Sequence, residues 1–219
     1  MSAGVQPGPD GRLRCRWCVG VDAFLPYHDH EWGFPVADDR RLFEKLCLET
    51  FQSGLSWRTI LAKRENFRAA FDGFDFRRIA TYGTADVTRL LADEGIVRHR
   101  GKIEAVINNA GRACELVDAE GSLGAFVWRF EPDASESAAM RGASTSPASI
   151  ALSRELKRRG WVFVGPTTAH AFLQAMGLIN DHAEECFTRV AVSAARRHFV
   201  KPAARPTPSL DDHRRSRRR

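Results

Sequence analysis

LLADEGIVRHRGKIEAVIN, residues 90–108, contains the ends of two apolar helical patterns with a short basic segment between them. The first pattern covers residues 84–92 and the second covers residues 102–116. In both, apolar side chains recur every three or four positions, as they do on one face of an α-helix. The stretch therefore predicts two helices joined by a tight connection at residues 95–101.

Helical spacing also dominates the rest of the 219 residues, and no internal repeat or long period-two alternation is present. Further helices are predicted over residues 38–53, 122–130, 149–159 and 167–176, and from about residue 181 into the early 190s. Another helix is predicted to begin after a cap at Ser56 and to extend through an apolar stripe that ends at Phe71. Residues 160–165 are too short to found a sheet and are interpreted as a buried connector. The predicted fold class is all-α, with a disordered N-terminus over residues 1–13, a single helical domain over residues 14–200 and a disordered basic tail over residues 201–219.

The connection at residues 95–101 resembles a helix-hairpin-helix, a motif that holds the DNA backbone without reading sequence. A glycine permits positive φ and lets successive backbone N–H groups face one concavity, and the positive end of the next helix favours a phosphate there. Arg100 adds long-range attraction. An ordinary helix connection with solvated charges is the alternative. The candidate DNA-binding residues are Gly95, Val97, Arg98, His99, Gly101 and Lys102.

The net charge of +6 is concentrated in the tail, because residues 205–219 hold six arginines and two aspartates and so carry +4 of it. This tail either raises nonspecific affinity for polyanions or is solvated and dispensable. Five scattered cysteines argue for a reducing compartment, and neither a secretory leader nor an apolar run of roughly 18 residues is present. We therefore expect a cytoplasmic protein without a membrane partner.

Two pairs of metal-type ligands stand at opposite ends of the chain. Cys15 and His28 lie near the start, and His182 and Cys186 form a His-x-x-x-Cys pair near the end, which on a helix would share one face. Two sulfurs and two imidazoles suit a tetrahedral zinc ion whose four protein ligands leave no open position for a catalytic water. Chance spacing and burial as small apolar side chains are the alternatives. Cys18 competes with Cys15, and His30 with His28.

Glu49 falls on the same side of its predicted helix as the apolar residues, where an unpaired carboxylate is costly. One explanation is a pocket that opens on this face, with Trp57 in the next turn and Trp17, Tyr27 and Trp32 nearby. Aromatic faces and one carboxylate suit a flat cationic heterocycle. A salt bridge to a neighbouring Arg or Lys is the rival interpretation for the carboxylate, and core packing is the rival for each aromatic residue.

Taken together, these residues resemble bacterial DNA-3-methyladenine glycosylase I over about residues 14–186. The matching motifs occur in order along the chain: Cys15-x-Trp17, Tyr27-His28-Asp29-x-Glu31-Trp32-Gly33, Leu48-Glu49-x-x-Gln52-x-Gly54-Leu55-Ser56-Trp57, Lys63-Arg64-Glu65-Asn66, Gly95-Ile96-Val97-Arg98-His99, Lys102-Ile103, Leu156-Lys157-x-Arg159-Gly160, Phe163-Val164-Gly165 and Asn180-Asp181-His182.

The resemblance implies a fold of the helix-hairpin-helix glycosylase superfamily and one structural zinc ion that ties the termini together. The family's metal ligands correspond to Cys15, His28, His182 and Cys186, which excludes Cys18 and His30. Its base pocket corresponds to Glu49 as the catalytic residue and to Trp17, Tyr27, Trp32 and Trp57 as substrate-binding residues.

The implied activity is removal of N3-methyladenine from alkylated double-stranded DNA by a monofunctional, monomeric, nucleoid-associated enzyme, with an abasic site and free 3-methyladenine as products. Phe24 and His170 depart from tyrosines that are frequent in the family, which bears on specificity. Asp181 is interpreted as a cap of the last helix rather than as a catalytic group. The alternatives are a noncatalytic helix-hairpin-helix DNA-binding protein with a structural zinc, and a zinc-stabilised interaction protein.

Overall fold

The computed structural model describes residues 4–133 and 142–203, and these residues are mostly helical. The helices, numbered in chain order, are α1 (Phe24–His30), α2 (Asp39–Gln52), α3 (Trp57–Ala62), α4 (Arg64–Ala70), α5 (Phe76–Ile79), α6 (Thr84–Ala92), α7 (Arg100–Glu120), α8 (Leu123–Val127), α9 (Pro147–Arg158), α10 (Pro166–Ala175) and α11 (Phe187–His198). None of them is both long enough and apolar enough to cross a bilayer.

The N-terminal segment departs from the all-α prediction. Strands β1 (Val5–Pro7) and β2 (Leu13–Cys15) pair antiparallel, with Val5 opposite Cys15. Arg14 holds this hairpin in place, because its buried guanidinium binds Asp10 and Asp29. The predicted disorder is therefore wrong for residues 4–13. Strands of three residues are too short to show an alternating pattern, which is why the sequence did not reveal them.

Helix α2 lies at the centre of the domain. Asp38 caps this helix by accepting a hydrogen bond from the amide of Arg41 at 2.8 Å. This agrees with the prediction that a helix begins at residue 38. All ten residues from 42 to 51 are buried, and α3, α7, α8 and α10 all pack against this helix. Burial of a large apolar side chain contributes about 1.5–3 kcal/mol. The same burial takes three charged residues of α2 out of water: Glu44, Lys45 and Glu49.

The two helices predicted on either side of residues 95–101 are present as α6 and α7, joined by residues 93–99, but the reason for Gly95 differs from the prediction. Gly95 does not have a positive φ. A Cβ atom at this position would lie 2.9 Å from Oδ1 of Asp93 and 3.1 Å from Cβ of Asn66. Glycine is therefore required by close packing of the turn rather than by backbone conformation. His99 caps α7, with Nδ1 accepting from the amide of Lys102 at 3.2 Å.

The helix boundaries differ from the predictions in three places. The helix predicted after Ser56 is divided into α3 and α4 by Lys63, whose backbone is not helical. The last helix begins at Phe187, six residues later than expected. The connector at residues 160–165 contains no strand, and it is only partly buried because Val162 and Phe163 are exposed. Residues 204–219 of the basic tail lie outside the described residues.

Candidate functional site

A cavity of about 710 Å³ lies between α1, α2, α3, α10 and the loop before α11. Four aromatic residues and one carboxylate that the sequence singled out line it together: Trp17, Tyr27, Trp32, Trp57 and Glu49. The sequence therefore identified residues from five separate segments that the fold brings to one place. We call this the aromatic cavity.

The aromatic rings form two close pairs, which Trp17 and Tyr27 join edge to face at 6.3 Å. Tyr27, on α1, lies 5.2 Å between ring centroids from Trp57, the first residue of α3. Trp17 meets Trp32 edge to face at 5.1 Å. Trp17 remains 40% exposed, so it lies at the mouth of the cavity, whereas Tyr27 is buried. Aromatic side chains in such arrangements present faces and edges to an entering planar ring.

Glu49 is 6% exposed, yet it lines the aromatic cavity and also forms an ion pair. Its Oε1 lies 2.7 Å from Nζ of Lys45, one turn earlier on α2. The two interpretations of this carboxylate, a pocket and a salt bridge, are thus both realised. A buried pair of this kind depends on good geometry and further hydrogen bonds to offset its desolvation.

Lys45 supplies that further bonding, and the sequence did not single it out. Its ammonium donates to Oη of Tyr27 at 2.8 Å and lies 3.4 Å from the ring centroid of Trp57. Burial lowers the pKa of Lys45, and the negative charge of Glu49 opposes that shift. Burial also raises the pKa of Tyr27 well above its usual value, so the phenol stays neutral. The only sequence signal was the four-residue spacing between Lys45 and Glu49.

Besides Cys15 and His182, three further polar residues line the aromatic cavity: Gln52, Gln174 and Asp181. Gln174 Nε2 donates to Oδ2 of Asp181 at 2.7 Å. The interpretation of Asp181 as a helix cap is wrong, because α11 begins only at Phe187 and its capping position is Cys186. The delayed start of α11 is what leaves Asp181 free of the helix and beside the cavity.

The four predicted metal ligands converge, and all four side chains are buried. Their ligand atoms lie within 4.8 Å of one another, so the cluster can hold a metal ion. The ring nitrogens Nε2 of His28 and Nδ1 of His182 are 3.2 Å apart, and each lies 3.5–3.6 Å from Sγ of Cys186. Sγ of Cys15 lies 3.6 Å from the same nitrogen of His182. A tetrahedral ion bound at about 2.05 Å to nitrogen and 2.3 Å to sulfur separates its ligands by about 3.3 and 3.6 Å.

The other ring nitrogens of the two histidines are also held. Nδ1 of His28 lies 2.8 Å from a carboxylate oxygen of Asp29, and Nε2 of His182 lies 3.0 Å from the carbonyl oxygen of Trp32. Each histidine can donate one N–H outward and direct the lone pair of its other nitrogen into the cluster. His182 and Cys186 achieve this from a loop, not from one face of a helix as expected.

The two residues that competed as metal ligands, Cys18 and His30, are not part of the Cys2His2 cluster. Sγ of Cys18 donates to the carbonyl oxygen of Cys15 at 3.1 Å. The donor set is therefore two thiols and two imidazoles, as the resemblance implied.

The hairpin between α6 and α7 presents a basic surface, but not every residue that was predicted to bind DNA contributes its side chain to that surface. Arg98 and Arg100 are exposed, with their nearest carboxylates on Glu94 and Glu104 at 3.4–3.5 Å. Lys102 is 5% exposed, and its ammonium donates to the carbonyl oxygens of Phe51 and Ser53. Its side chain is thus unavailable for a phosphate, which corrects its place among the candidate DNA-binding residues. Gly101 and Arg100 begin α7, where amide groups have no partner within the helix.

The two departures from the family pattern lie outside the lining of the aromatic cavity. Phe24 packs edge to face on Trp17, with ring centroids 5.7 Å apart, and so supports the cavity mouth. His170 is buried, and its Nδ1 lies 3.2 Å from Oγ of Ser146. Phe24 therefore acts on packing at the cavity mouth, whereas His170 contacts the residue that caps α9.

A helical domain with a basic hairpin, a clustered Cys2His2 set and an aromatic cavity holding one carboxylate defines a class of protein with a receptacle suited to a flat ring and a surface suited to a nucleic-acid backbone. The comparisons with known proteins agree. The family model for methyladenine glycosylase matches residues 17–189. The DNA-3-methyladenine glycosylase 1 of Escherichia coli K12 is 45% identical over 177 residues, which cover 79% of this chain and 95% of that protein. The DNA-3-methyladenine glycosylase of Haemophilus influenzae Rd is 41% identical over 177 residues, with 79% and 96% covered.

A solved structure of 3-methyladenine DNA glycosylase I from Staphylococcus aureus, described as the structural basis of its 3-methyladenine recognition, superposes with a TM-score of 0.73. It is 34% identical and covers 80% of this chain and 96% of that one. The chain belongs to the methyladenine glycosylase family.

Proposed function

We propose that this protein is a DNA repair glycosylase that hydrolyses the bond between N3-methyladenine and deoxyribose in alkylated DNA and leaves an abasic site. Family membership supports the activity, because the curated relatives carry it in their names. The structural observation that carries the proposal is a buried carboxylate, Glu49, opening on an aromatic cavity.

The hairpin would bind the DNA backbone, and the aromatic cavity would bind the damaged base. Duplex DNA would lie with its phosphates against the start of α7, where amide groups, the helix dipole and Arg98 and Arg100 attract them. The damaged nucleotide would rotate out of the stack into the aromatic cavity, at a cost of a few kcal/mol for unstacking. Trp57, Tyr27 and Trp17 would receive its face and edges, since aromatic stacking contributes about 1–3 kcal/mol per base.

The chemistry needs little more than placement, because the leaving base is already positively charged. The bond from the sugar carbon to N9 breaks with its electron pair moving onto the base, which becomes neutral. A water oxygen forms the new bond to the sugar carbon and releases its proton to solvent. Glu49 would accept hydrogen bonds from the base and favour its cationic form, so neutral adenine gains less. A general acid is not required.

The same arrangement supports a monofunctional enzyme. Strand cleavage by a glycosylase needs an amine that reaches the sugar, and within residues 4–133 and 142–203 no lysine lines the aromatic cavity. The ammonium of Lys45 is engaged by Tyr27 and Trp57 rather than open to the cavity. The product would therefore be an intact strand with an abasic site.

The metal in the Cys2His2 cluster would be one zinc ion, held by Cys15, His28, His182 and Cys186. The donor set and the tetrahedral spacing fit zinc. Four protein ligands leave no position for a reacting water, so the ion would supply stability by joining the N-terminal segment to the loop before α11. Structural zinc sites contribute folding free energy directly.

A base-release assay tests the proposal. Purified protein is incubated with duplex DNA methylated at several positions, and the released bases are separated and quantified. We expect 3-methyladenine and alkali-labile abasic sites, without strand breaks before alkali. Binding of the duplex without release of any base would instead support a noncatalytic DNA-binding protein.

A further inference from the structure

We infer that Lys45 sets the net charge of the base pocket, and thereby how strongly the site prefers a cationic purine over a neutral one. The inference rests on the proposed function and assigns a specificity-determining role to a residue that does not itself line the aromatic cavity.

The position of the Lys45 ammonium is defined by three groups that belong to the pocket. It lies 2.7 Å from Oε1 of Glu49, 2.8 Å from Oη of Tyr27 and 3.4 Å from the ring centroid of Trp57. A lysine held only by packing would leave its donors unpaired at 5% exposure. The ammonium is therefore matched specifically to the carboxylate and to two of the aromatic residues.

The ammonium contacts residues that line the aromatic cavity, although Lys45 itself is not among the lining residues. Tyr27 and Trp57 line both that cavity and a second cavity of about 30 Å³, and Lys45 lines the second one together with them. A base stacked on Trp57 would thus have a fixed positive charge against the same ring.

Neighbouring charges do not take the place of Glu49 as the partner of Lys45. Glu31 pairs with Arg64 at 2.6 Å, and Glu44 pairs with Arg68 at 2.7 Å. Glu49 is the carboxylate paired with Lys45 among the ion pairs of the described residues. Removing Lys45 would leave Glu49 with its full charge directed at the cavity, whereas removing Glu49 would leave the ammonium without its carboxylate.

The size of the effect follows from the low polarity of the site. Two unit charges 4 Å apart interact by about 4 kcal/mol at an effective dielectric constant of 20, and the interaction falls inversely with distance. An ammonium 3.4 Å from the centroid of a ring that the base stacks on therefore weakens the preference for a cation by about tenfold or more, on the order of 1.4 kcal/mol per factor of ten. With Lys45 in place, the pocket accepts neutral alkylated purines more readily than a pocket holding the carboxylate alone.

A four-member charge series tests this role. The wild type and Lys45→Met, Glu49→Gln and the double variant are titrated by calorimetry with two probes: free 3-methyladenine, which is neutral, and 3,9-dimethyladeninium, which carries the charge of the lesion. We expect the cation-to-neutral affinity ratio to rise about tenfold in Lys45→Met and to fall in Glu49→Gln. The double variant should return close to the wild-type ratio, because both charges are then absent.

Each result is decisive. Equal weakening of both probes in Lys45→Met, with no change in their ratio, would show a merely structural role and overturn the inference. If Lys45→Met does not fold, the effect of the ammonium is measured by comparing the cation-to-neutral affinity ratio of Glu49→Gln with that of the double variant. Equal ratios in these two variants would overturn the inference. Lys157→Met, an exposed lysine on α9, is the matched control and should leave the ratio unchanged. Failure of the wild type to bind either probe would contradict the proposed function itself.

Discussion

Nε2 of His28 and Nδ1 of His182 lie 3.2 Å apart although 154 residues separate them in the chain. This contact places two ends of the domain against the aromatic cavity. Tyr27 precedes His28 on α1, and Asp181 precedes His182 in the loop before α11. Trp32 packs on both histidine rings, at 6.3 Å from His28 and 4.7 Å from His182. The metal cluster and the cavity therefore share a wall, and loss of one should disturb the other.

Cys186→Ser is expected to abolish metal binding and lower thermal stability. The change removes a thiolate ligand from a buried cluster that joins β2, α1 and the loop before α11. Loss of such a site typically costs several kcal/mol. Metal content by elemental analysis and the midpoint of thermal unfolding measure the two effects. Cys114→Ser, at a cysteine outside the cluster, is the control and should retain the metal. Unchanged metal stoichiometry in Cys186→Ser would show that the metal binds at a different place in the protein.

Glu49→Gln is expected to slow release of 3-methyladenine from methylated DNA by roughly 10–100-fold. A hydrogen bond to a charged group contributes about 1.5–3 kcal/mol, and the amide keeps the shape of the carboxylate without its charge. The measurement is kcat/KM for base release, with the helical circular dichroism signal as a check on folding. Glu115→Gln on the surface of α7 is the matched control and should behave as the wild type. Full activity in Glu49→Gln would remove the carboxylate from the mechanism.

Trp57→Ala is expected to weaken binding of free 3-methyladenine by about 1–3 kcal/mol, because the proposed stacking surface for the base is lost. Trp57→Phe should retain part of the affinity, since a smaller aromatic face remains. Calorimetric titration with 3-methyladenine measures both variants. Wild-type affinity in Trp57→Ala would show that the base does not stack on this ring.

Arg98→Ala combined with Arg100→Ala is expected to weaken duplex binding and to flatten its salt dependence. Each phosphate contact contributes about 0.9 to the slope of log K against log salt concentration. Binding of free 3-methyladenine should not change, because neither arginine lines the aromatic cavity. An unaltered salt slope would place the backbone contact outside this hairpin.

Lys102→Met is expected to act differently from the arginine changes. Its buried ammonium satisfies the carbonyl oxygens of Phe51 and Ser53 at the end of α2. Removing it leaves those groups unpaired, at a cost of about 1–3 kcal/mol. Chemical denaturation should show lower stability, with the salt slope of duplex binding preserved. A flattened salt slope of duplex binding, together with normal stability, would show that Lys102 contacts a phosphate.

Gly95→Ala is expected to destabilise the hairpin, because the added Cβ would lie 2.9 Å from Oδ1 of Asp93. Such overpacking costs about 1–3 kcal/mol. Gly111→Ala, within α7 and with open space around it, should instead stabilise the protein by about 0.5–1 kcal/mol. The free energy of unfolding of both variants in urea provides the comparison, and equal behaviour of the two would contradict the packing argument.

The helices that the sequence determined by itself are those with strong local patterns and caps. Residues 84–92 and the start of α2 after Asp38 agree with the structure, because side-chain spacing and capping are properties of neighbouring residues. Recognition of the motif series supplied the family, the cavity residues and the four clustered ligands.

Only the tertiary structure decided which partner each buried charge finds. Lys45 and Lys102 look alike in the sequence as helical lysines, yet one meets Glu49, Tyr27 and Trp57 while the other meets two backbone carbonyls. The late start of α11 at Phe187 was hidden for the same reason, since the conformation of residues 181–186 follows contacts with segments far away in the chain. Long-range packing sets these outcomes, and local periodicity does not encode it.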